Sequence, residues 1–307
     1  VADAPGGITG PLNPALDDIL ADMSGGVFVP VPPDLVIHGT KGNDALYGGA
    51  GNDVMRGLAG DDFISGGAGN DSISGDAGND LIFGGVGNDH VNGNAGDDVL
   101  HGDAGNDSLW GADGNDVLKG GDGDDRLEGA AGADKLHGGN GNDTLRGGGG
   151  DDTVSGNAGS DRIDGGKGLD RLTGGEGRDF FIADLNVDAW PEIQGGHHPH
   201  AHHDPDIVTD FQTAGPDRDC VDLRVIMAKT LFTGTTLQQA VDEGFLYLTG
   251  YSYTDANGNS GFGAKVHVSY DGWNGSDPTK GSIAVLDLQN VNVDDLSFSS
   301  YAGHFLL

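Results

Sequence analysis

This sequence is short of cysteine, of basic residues and of long apolar runs, and each shortage closes off a class of protein. A single cysteine, Cys220, cannot build an internal disulfide framework. In "DRDCVDL" it reads as a buried small hydrophobe, with an intermolecular disulfide as the other reading. Only 15 Lys and Arg stand against 49 Asp and Glu, giving a formal net charge of −34. Phosphate backbones and anionic lipid need a basic surface, so neither nucleic acid nor an acidic membrane is expected as a partner, and cations are. No run of 18 apolar residues exists that would make a transmembrane helix. The opening "VADAPGGITGPLNPALDDIL" has neither a basic n-region nor an apolar h-region, so it does not read as a secretory signal peptide. It also lacks an initiating Met, which leaves open a processed chain or one cut from a longer protein. The motifs His-Glu-x-x-His, Gly-x-Ser-x-Gly and Gly-x-x-x-x-Gly-Lys-Ser/Thr are all missing, and the expectation is that the chain is not an enzyme.

What the chain has in abundance is glycine, 59 residues of 307, and the glycine is periodic. From Gly39 to Ile182 the sequence divides into 16 blocks of nine residues. Places one and four are always Gly, place six is always Asp, and place eight is always apolar. Four places held through 16 copies mark a repeat architecture rather than biased composition. Three segments follow: an N-terminal lead-in or cap (1–38), the repeat (39–182) and a C-terminal segment of ordinary composition (183–307).

A block of this kind predicts a three-residue strand, x-apolar-x, with the middle side chain turned inward, after six residues that reverse the chain. Two blocks make one 18-residue coil with a strand on each side, and stacked coils give two parallel sheets around a thin interior. One inward ladder is Leu46, Ile64, Ile82, Leu100, Leu118, Leu136, Val154 and Leu172. The other is Met55, Ile73, Val91, Leu109, Leu127, Leu145, Ile163 and Phe181. At ~4.8 Å between strands, eight coils span roughly 38 Å. One large inward side chain per nine residues is too little apolar burial to offset the entropy of ordering those nine, glycine above all. The rows of Asp would also repel one another, so something must bind between the carboxylates; the alternative is a structural glycine-Asp solenoid without metal.

The blocks resemble the nonapeptide of the RTX (repeats-in-toxin) family, and the resemblance covers 144 of the 307 residues. It implies an all-β fold: a right-handed parallel β-roll of about eight coils, followed here by a β-rich C-terminal cap domain. It also implies calcium, held by the place-six carboxylates and by backbone carbonyls. Carried over by position, the carboxylates are Asp44, Asp53, Asp62, Asp71, Asp80, Asp89, Asp98, Asp107, Asp116, Asp125, Asp134, Asp143, Asp152, Asp161, Asp170 and Asp179. The carbonyls are those of Gly39, Gly48, Gly57, Gly66, Gly75, Gly84, Gly93, Gly102, Gly111, Gly120, Gly129, Gly138 and Gly147. An all-oxygen shell in flexible geometry suits Ca²⁺ rather than Mg²⁺, and the gaps between coils give about 14 sites. The loops have no Cys and few His, which argues against zinc there.

The pattern has departures. Place two is Gly in half of the blocks, with Leu58, Asp76, Asn94 and Ala130 among the substitutes. Place five, usually Asn or Asp, becomes Ala133, Ser160, Leu169 and Arg178, and weaker or irregular sites are expected at those blocks. Residues 39–182 carry 27 acidic and 10 basic side chains, net −17, half of the charge of the chain. Without calcium this segment is expected to be expanded and disordered.

In the last segment, "DIVTDF", "FLYLTGYSY", "AKVHVSY" and "SIAVLDL" read as strands, and "TLQQAVDEG" as a helix ended by Gly244. A second helix reads at "NPALDDILADM" and a further strand at "GGVFVPVPP", both before the repeat. "DPDIVTDFQTAGPDRDCVDL" with the nearly uncharged tail "LSFSSYAGHFLL" resembles the C-terminal target region of proteins exported by bacterial type I (ABC-transporter) secretion. The structural alternative is a cap that seals the open end of the roll. In "HHPHAHHDPD", His197, His198, His200, His202 and His203 form either an exposed polar loop or a transition-metal tract. "DANGNSG" has the spacing of a calcium-loop start but lacks a closing Glu, and reads as a hairpin turn.

The resemblance points to a secreted, extracellular or cell-surface calcium-binding protein. Its partners would be calcium, the type I secretion machinery, and extracellular polysaccharide or cell-surface components. The competing reading is the C-terminal secretion and folding module of a larger RTX protease, lipase, epimerase or toxin. Ice binding is weakened because place three is Ala in half of the blocks and nowhere an aligned Thr row.

Overall fold

The computed structural model describes residues 34–182 and, beyond them, six strands. Strand β1 (Val36–His38) is followed by 15 six-residue strands, from β2 (Ala45–Ala50) to β16 (Arg171–Glu176), and by β17 (Phe180–Ile182). Successive strands alternate between two sheets. Odd-numbered strands build one sheet and even-numbered strands the other, each strand pairing in parallel with the strand 18 residues away. This is the parallel β-solenoid of about eight coils that the nonapeptide period requires, and among the described residues there is no helix.

The two apolar ladders form as the period dictates. Leu46 pairs with Ile64, Ile64 with Ile82 and Ile82 with Leu100, and on the other sheet Met55 pairs with Ile73. All 16 place-eight residues are buried, most of them completely. Ile37 prolongs one ladder at the start, and Val208 prolongs the other at the end.

The strands are twice as long as the three-residue expectation. Each runs through places seven to nine of one block and one to three of the next, leaving only places four to six to turn the chain. The burial pattern shows why. Place eight and the following place-one glycine both point inward, so the extended chain continues past the apolar residue. Strand pairing skips that glycine in every coil: Lys119 pairs with His137 and Gly121 with Gly139, and Gly120 is passed over.

Beyond the repeat, β18 (Asp206–Val208) and β22 (Ser282–Gln289) extend the even sheet, with β21 (Ser260–Ser269) and β20 (Leu246–Thr254) outside them. The odd sheet gains β19 (Cys220–Asp222) and β23 (Phe305–Leu306). Of the four strand-like runs read in this segment, the first contains β18 and the other three overlap β20, β21 and β22, with β21 starting four residues earlier than read. Strands β20 and β21 pair antiparallel up to Thr254 and Ser260, so "DANGNSG" joins a hairpin. The helices read at 13–23 and 236–244, the strand at 25–33 and the histidine tract 197–203 lie outside the described residues.

Candidate metal centre

Twelve of the 16 turns present two Asx side chains that do different work, and the other four keep only the place-six Asp. The place-six Asp points into the roll and its Oδ1 accepts a backbone N–H from the coil before. Asp62 N–H donates to Asp80 Oδ1 at 2.8 Å, Asp80 N–H to Asp98 Oδ1 at 2.7 Å, and so on along both edges. The place-five residue points outward and accepts from the coil after. Asn70 N–H donates to Asn52 Oδ1 at 2.7 Å, and Asn88 N–H to Asn70 Oδ1 at 2.7 Å. Turn amides that the sheets cannot reach are thereby satisfied by side chains.

Fifteen of the 16 place-six carboxylates, Asp53 to Asp179, are buried to 3% exposure or less. In the 13 from Asp53 to Asp161, the second oxygen, Oδ2, is buried and has no hydrogen-bond partner. It lies over the place-one glycine of its own block, and at 11 of the 13 the place-one carbonyl of the next coil reaches the same spot. A Cβ built on Gly120 would fall 2.5 Å from the Gly138 carbonyl oxygen and closer still to Asp125 Oδ2. Gly138 and Gly147 show the same arrangement, with the Gly156 and Gly165 carbonyls at 2.7 and 2.5 Å from such a Cβ. Place one is glycine because the carboxylate fills the space a side chain would need.

A carboxylate oxygen facing a carbonyl oxygen is two acceptors with no donor between them, and burial without a partner is costly. The electrostatics register this. Burial, above all, raises these carboxyls from their usual 3.8: Asp152 to about 8, Asp98 and Asp125 to about 7, and Asp143 to about 6. The N–H bond from the preceding coil opposes the rise, and neighbouring carboxylates reinforce it. A proton or a hard cation relieves the conflict. The donors are oxygens of carboxylate and carbonyl type, as Ca²⁺ prefers. Among the described residues no three His, Cys, Asp or Glu side chains gather at one point. A cation here would be held by single carboxylates and backbone carbonyls.

Asp44 stands apart from the series it opens. Its Oδ2 accepts the backbone N–H and the hydroxyl of Thr40, at 2.6 and 2.9 Å, so the first turn satisfies its own carboxylate. Thr40, at place two of the first block, was not singled out by sequence reasoning; its hydroxyl four residues before an Asp was the available signal. The place-five row was also missed as a structural element. The clue was there, because Asp occupies place five at 61, 97, 124 and 151, never on successive coils of one edge. Of the later departures, Ala133 removes an acceptor from the row, whereas Ser160 keeps one, its Oγ lying 3.4 Å from the Arg178 nitrogen.

Comparison with known families agrees with this geometry. Residues 36–64, 56–91, 83–118, 110–145, 119–154, 146–181 and 155–188 match a family described as RTX calcium-binding nonapeptide repeat (4 copies). No curated protein matches the chain.

Proposed function

Because this chain belongs, through residues 36–188, to the RTX calcium-binding nonapeptide-repeat family, we propose that it is a secreted protein whose roll folds on binding Ca²⁺ outside the cell and then serves a structural, adhesive or interaction role. The observation that carries the reading is the row of 13 buried Oδ2 atoms without a partner, 11 of them sharing the space over their glycine with a backbone carbonyl of the next coil. Bound calcium supplies the positive charge that both oxygens lack. The ligands would be the place-six carboxylates from Asp53 onward, with the place-one carbonyls one coil further on; Asp44, already bonded to Thr40, is the weakest of the set.

Folding coupled to such a cation suits export. In low cytosolic calcium the carboxylate rows repel and the chain stays threadable, whereas extracellular calcium is in the range where such modules bind. The resemblance of the C-terminal segment to type I secretion targets supports the same route.

The test is a calcium titration of chelator-treated protein, followed by far-UV circular dichroism and hydrodynamic radius together. The expected result is a cooperative passage from expanded coil to compact β structure that Mg²⁺ does not reproduce. A protein already compact and β-rich in chelator at pH 7.5 would overturn the coupling of folding to calcium.

A further inference from the structure

The outer faces of the two sheets differ, and the difference leaves a furrow on the even sheet. Its floor is the place-two column of β8 (Val99–Ala104), β10 (Val117–Asp122), β12 (Lys135–Asn140) and β14 (Thr153–Ala158). In that column Gly121 and Gly139 lie between Asp103 and Asn157. His101 and Lys119 form one wall, Asp122 and Asn140 the other, around about 500 Å³. From Asp103 to Asn157 is three strand steps, ~14 Å.

A Cβ on Gly121 or Gly139 would fall 2.0 or 2.1 Å from the carbonyl oxygen of the preceding coil, so this floor as it stands takes only glycine. On the odd sheet five successive coils carry Leu58, Asp76, Asn94, Ala112 and Ala130 at the same place, with φ between 77° and 85°. On the even sheet Gly121 and Gly139, at φ 121° and 123°, let neighbouring coils approach closely and leave the floor bare of side chains. One end of the furrow meets an aromatic row. The His101 ring stacks on Phe83 at 4.6 Å and 22°, Phe83 lies 5.9 Å from Phe63, and Phe63 lies 5.6 Å from Tyr47, which is 65% exposed.

We propose that this furrow and its aromatic approach bind a neutral polysaccharide strand lying along the roll axis. Aromatic faces pack against the C–H faces of sugar rings. The furrow then offers carboxylates, carboxamides, an ammonium and an imidazole, the mixture of donors and acceptors that a polyhydroxyl ligand satisfies. Asn140 Nδ2 donates to Asp122 Oδ1 at 2.7 Å, holding two of these groups in a fixed plane. Burial first, then the Lys119 ammonium, keep His101 below its ordinary range, so the ring enters as a neutral donor and acceptor. Two carboxylates against one ammonium make the furrow unwelcoming to an anionic polymer. An apolar peptide would find little apolar surface on its floor.

The proposal rests on the reading of the roll as an extracellular binding or structural element, and the test separates the two. Calcium-loaded full-length protein is run through native gels containing dextran, galactomannan or hydroxyethyl cellulose, with polygalacturonate as the anionic probe. Circular dichroism in calcium is recorded first, so failure of the roll to fold is seen before any polymer is added. The double variant Gly121→Asn, Gly139→Asn fills the floor with a residue that place two holds at Asn94 and Asn157, where φ is 78° and 75°, so the main chain must shift toward that conformation at both sites. Phe83→Ala and Lys119→Gln alter only outward-facing side chains and serve if the double variant does not fold. The expected result is retardation by at least one neutral polymer, weakened tenfold or more in the filled variant and in Phe83→Ala. Three results would overturn it: no retardation by any neutral polymer, variants that bind as wild type does, or retention by polygalacturonate alone.

Discussion

Asp98 donates its backbone N–H to Oδ1 of Asp116, 18 residues further along the chain, at 2.8 Å. One residue earlier the direction reverses, for Asp97 Oδ1 accepts the backbone N–H of Asn115 at 2.7 Å. Each turn is therefore tied to its neighbours twice, by one side chain reaching back and by one reached from ahead. The apolar ladders set the spacing of the coils, and these two rows fix the turns between them.

Asp98 itself separates the two duties of a place-six residue. Asp98→Asn keeps an oxygen for the Asp80 N–H, now 2.7 Å away, but removes the charge. Calcium stoichiometry by titration calorimetry should fall, and the calcium midpoint for folding should rise. Asp98→Ala removes the acceptor as well and should cost about 1–3 kcal/mol more in calcium, as a buried donor left unpaired does. Equal stability of the two variants would show that the hydrogen bond is idle.

The pH dependence of the metal-free roll follows from the raised carboxyls. Burial lifts Asp152 to about 8, Asp89 to about 7 and Asp80 to about 6, against 3.8 in the unfolded chain. Between those limits the folded state holds more protons than the unfolded one, so stability is greatest below pH 4 and is lost as pH rises through 6 to 8. Calcium competes with the proton for the same oxygens, so with calcium the trend should reverse over that range. Thermal melts at pH 4.5 and 8.0, each with chelator and with calcium, give the sign directly. A metal-free melting temperature that holds steady or climbs with pH would contradict the buried-carboxylate picture.

The place-five row has a natural gap. Ala133 receives the side-chain bond from its neighbour, its N–H donating to Asn115 Oδ1 at 2.9 Å, but its methyl offers nothing to Asp151. Ala133→Asn should restore the rung and add about 0.5–1.5 kcal/mol. A rise of a few degrees in the calcium-loaded melting temperature would be the sign of it. If the temperature does not rise, the outer row contributes no stability.

How far the sequence reveals this molecule depends on which interaction is at issue. The period, the inward ladders from Leu46 to Phe181 and the special standing of place six are all legible, because each is a residue type recurring at a fixed interval. Strand length was not, because glycine at place one suggests a turn. Its real reason is the carboxylate of Asp125 lying where a Gly120 side chain would be, a contact between places five residues apart that no periodicity exposes. The exception at Asp44 was hidden for a similar reason, since the pattern match treats Thr40 as one more tolerated substitute. The unequal outer faces were also hidden, because place two must be sorted by alternate blocks before Leu58 to Ala130 separate from Gly121 and Gly139.

The register between coils has a mechanical meaning. A roll whose coils are held each to the next by nearly the same rungs, the gap at Ala133 apart, behaves under tension as a series of similar links. A coil that lets go converts ~5 Å of axis into 18 residues of free chain, roughly 60 Å of contour. Each detached coil also sheds whatever ions clamped it, so the load at which links yield is set by the calcium concentration of the surroundings. Tethered at both ends, such a roll is a reserve of length, paid out in equal steps and wound back when the pull relaxes.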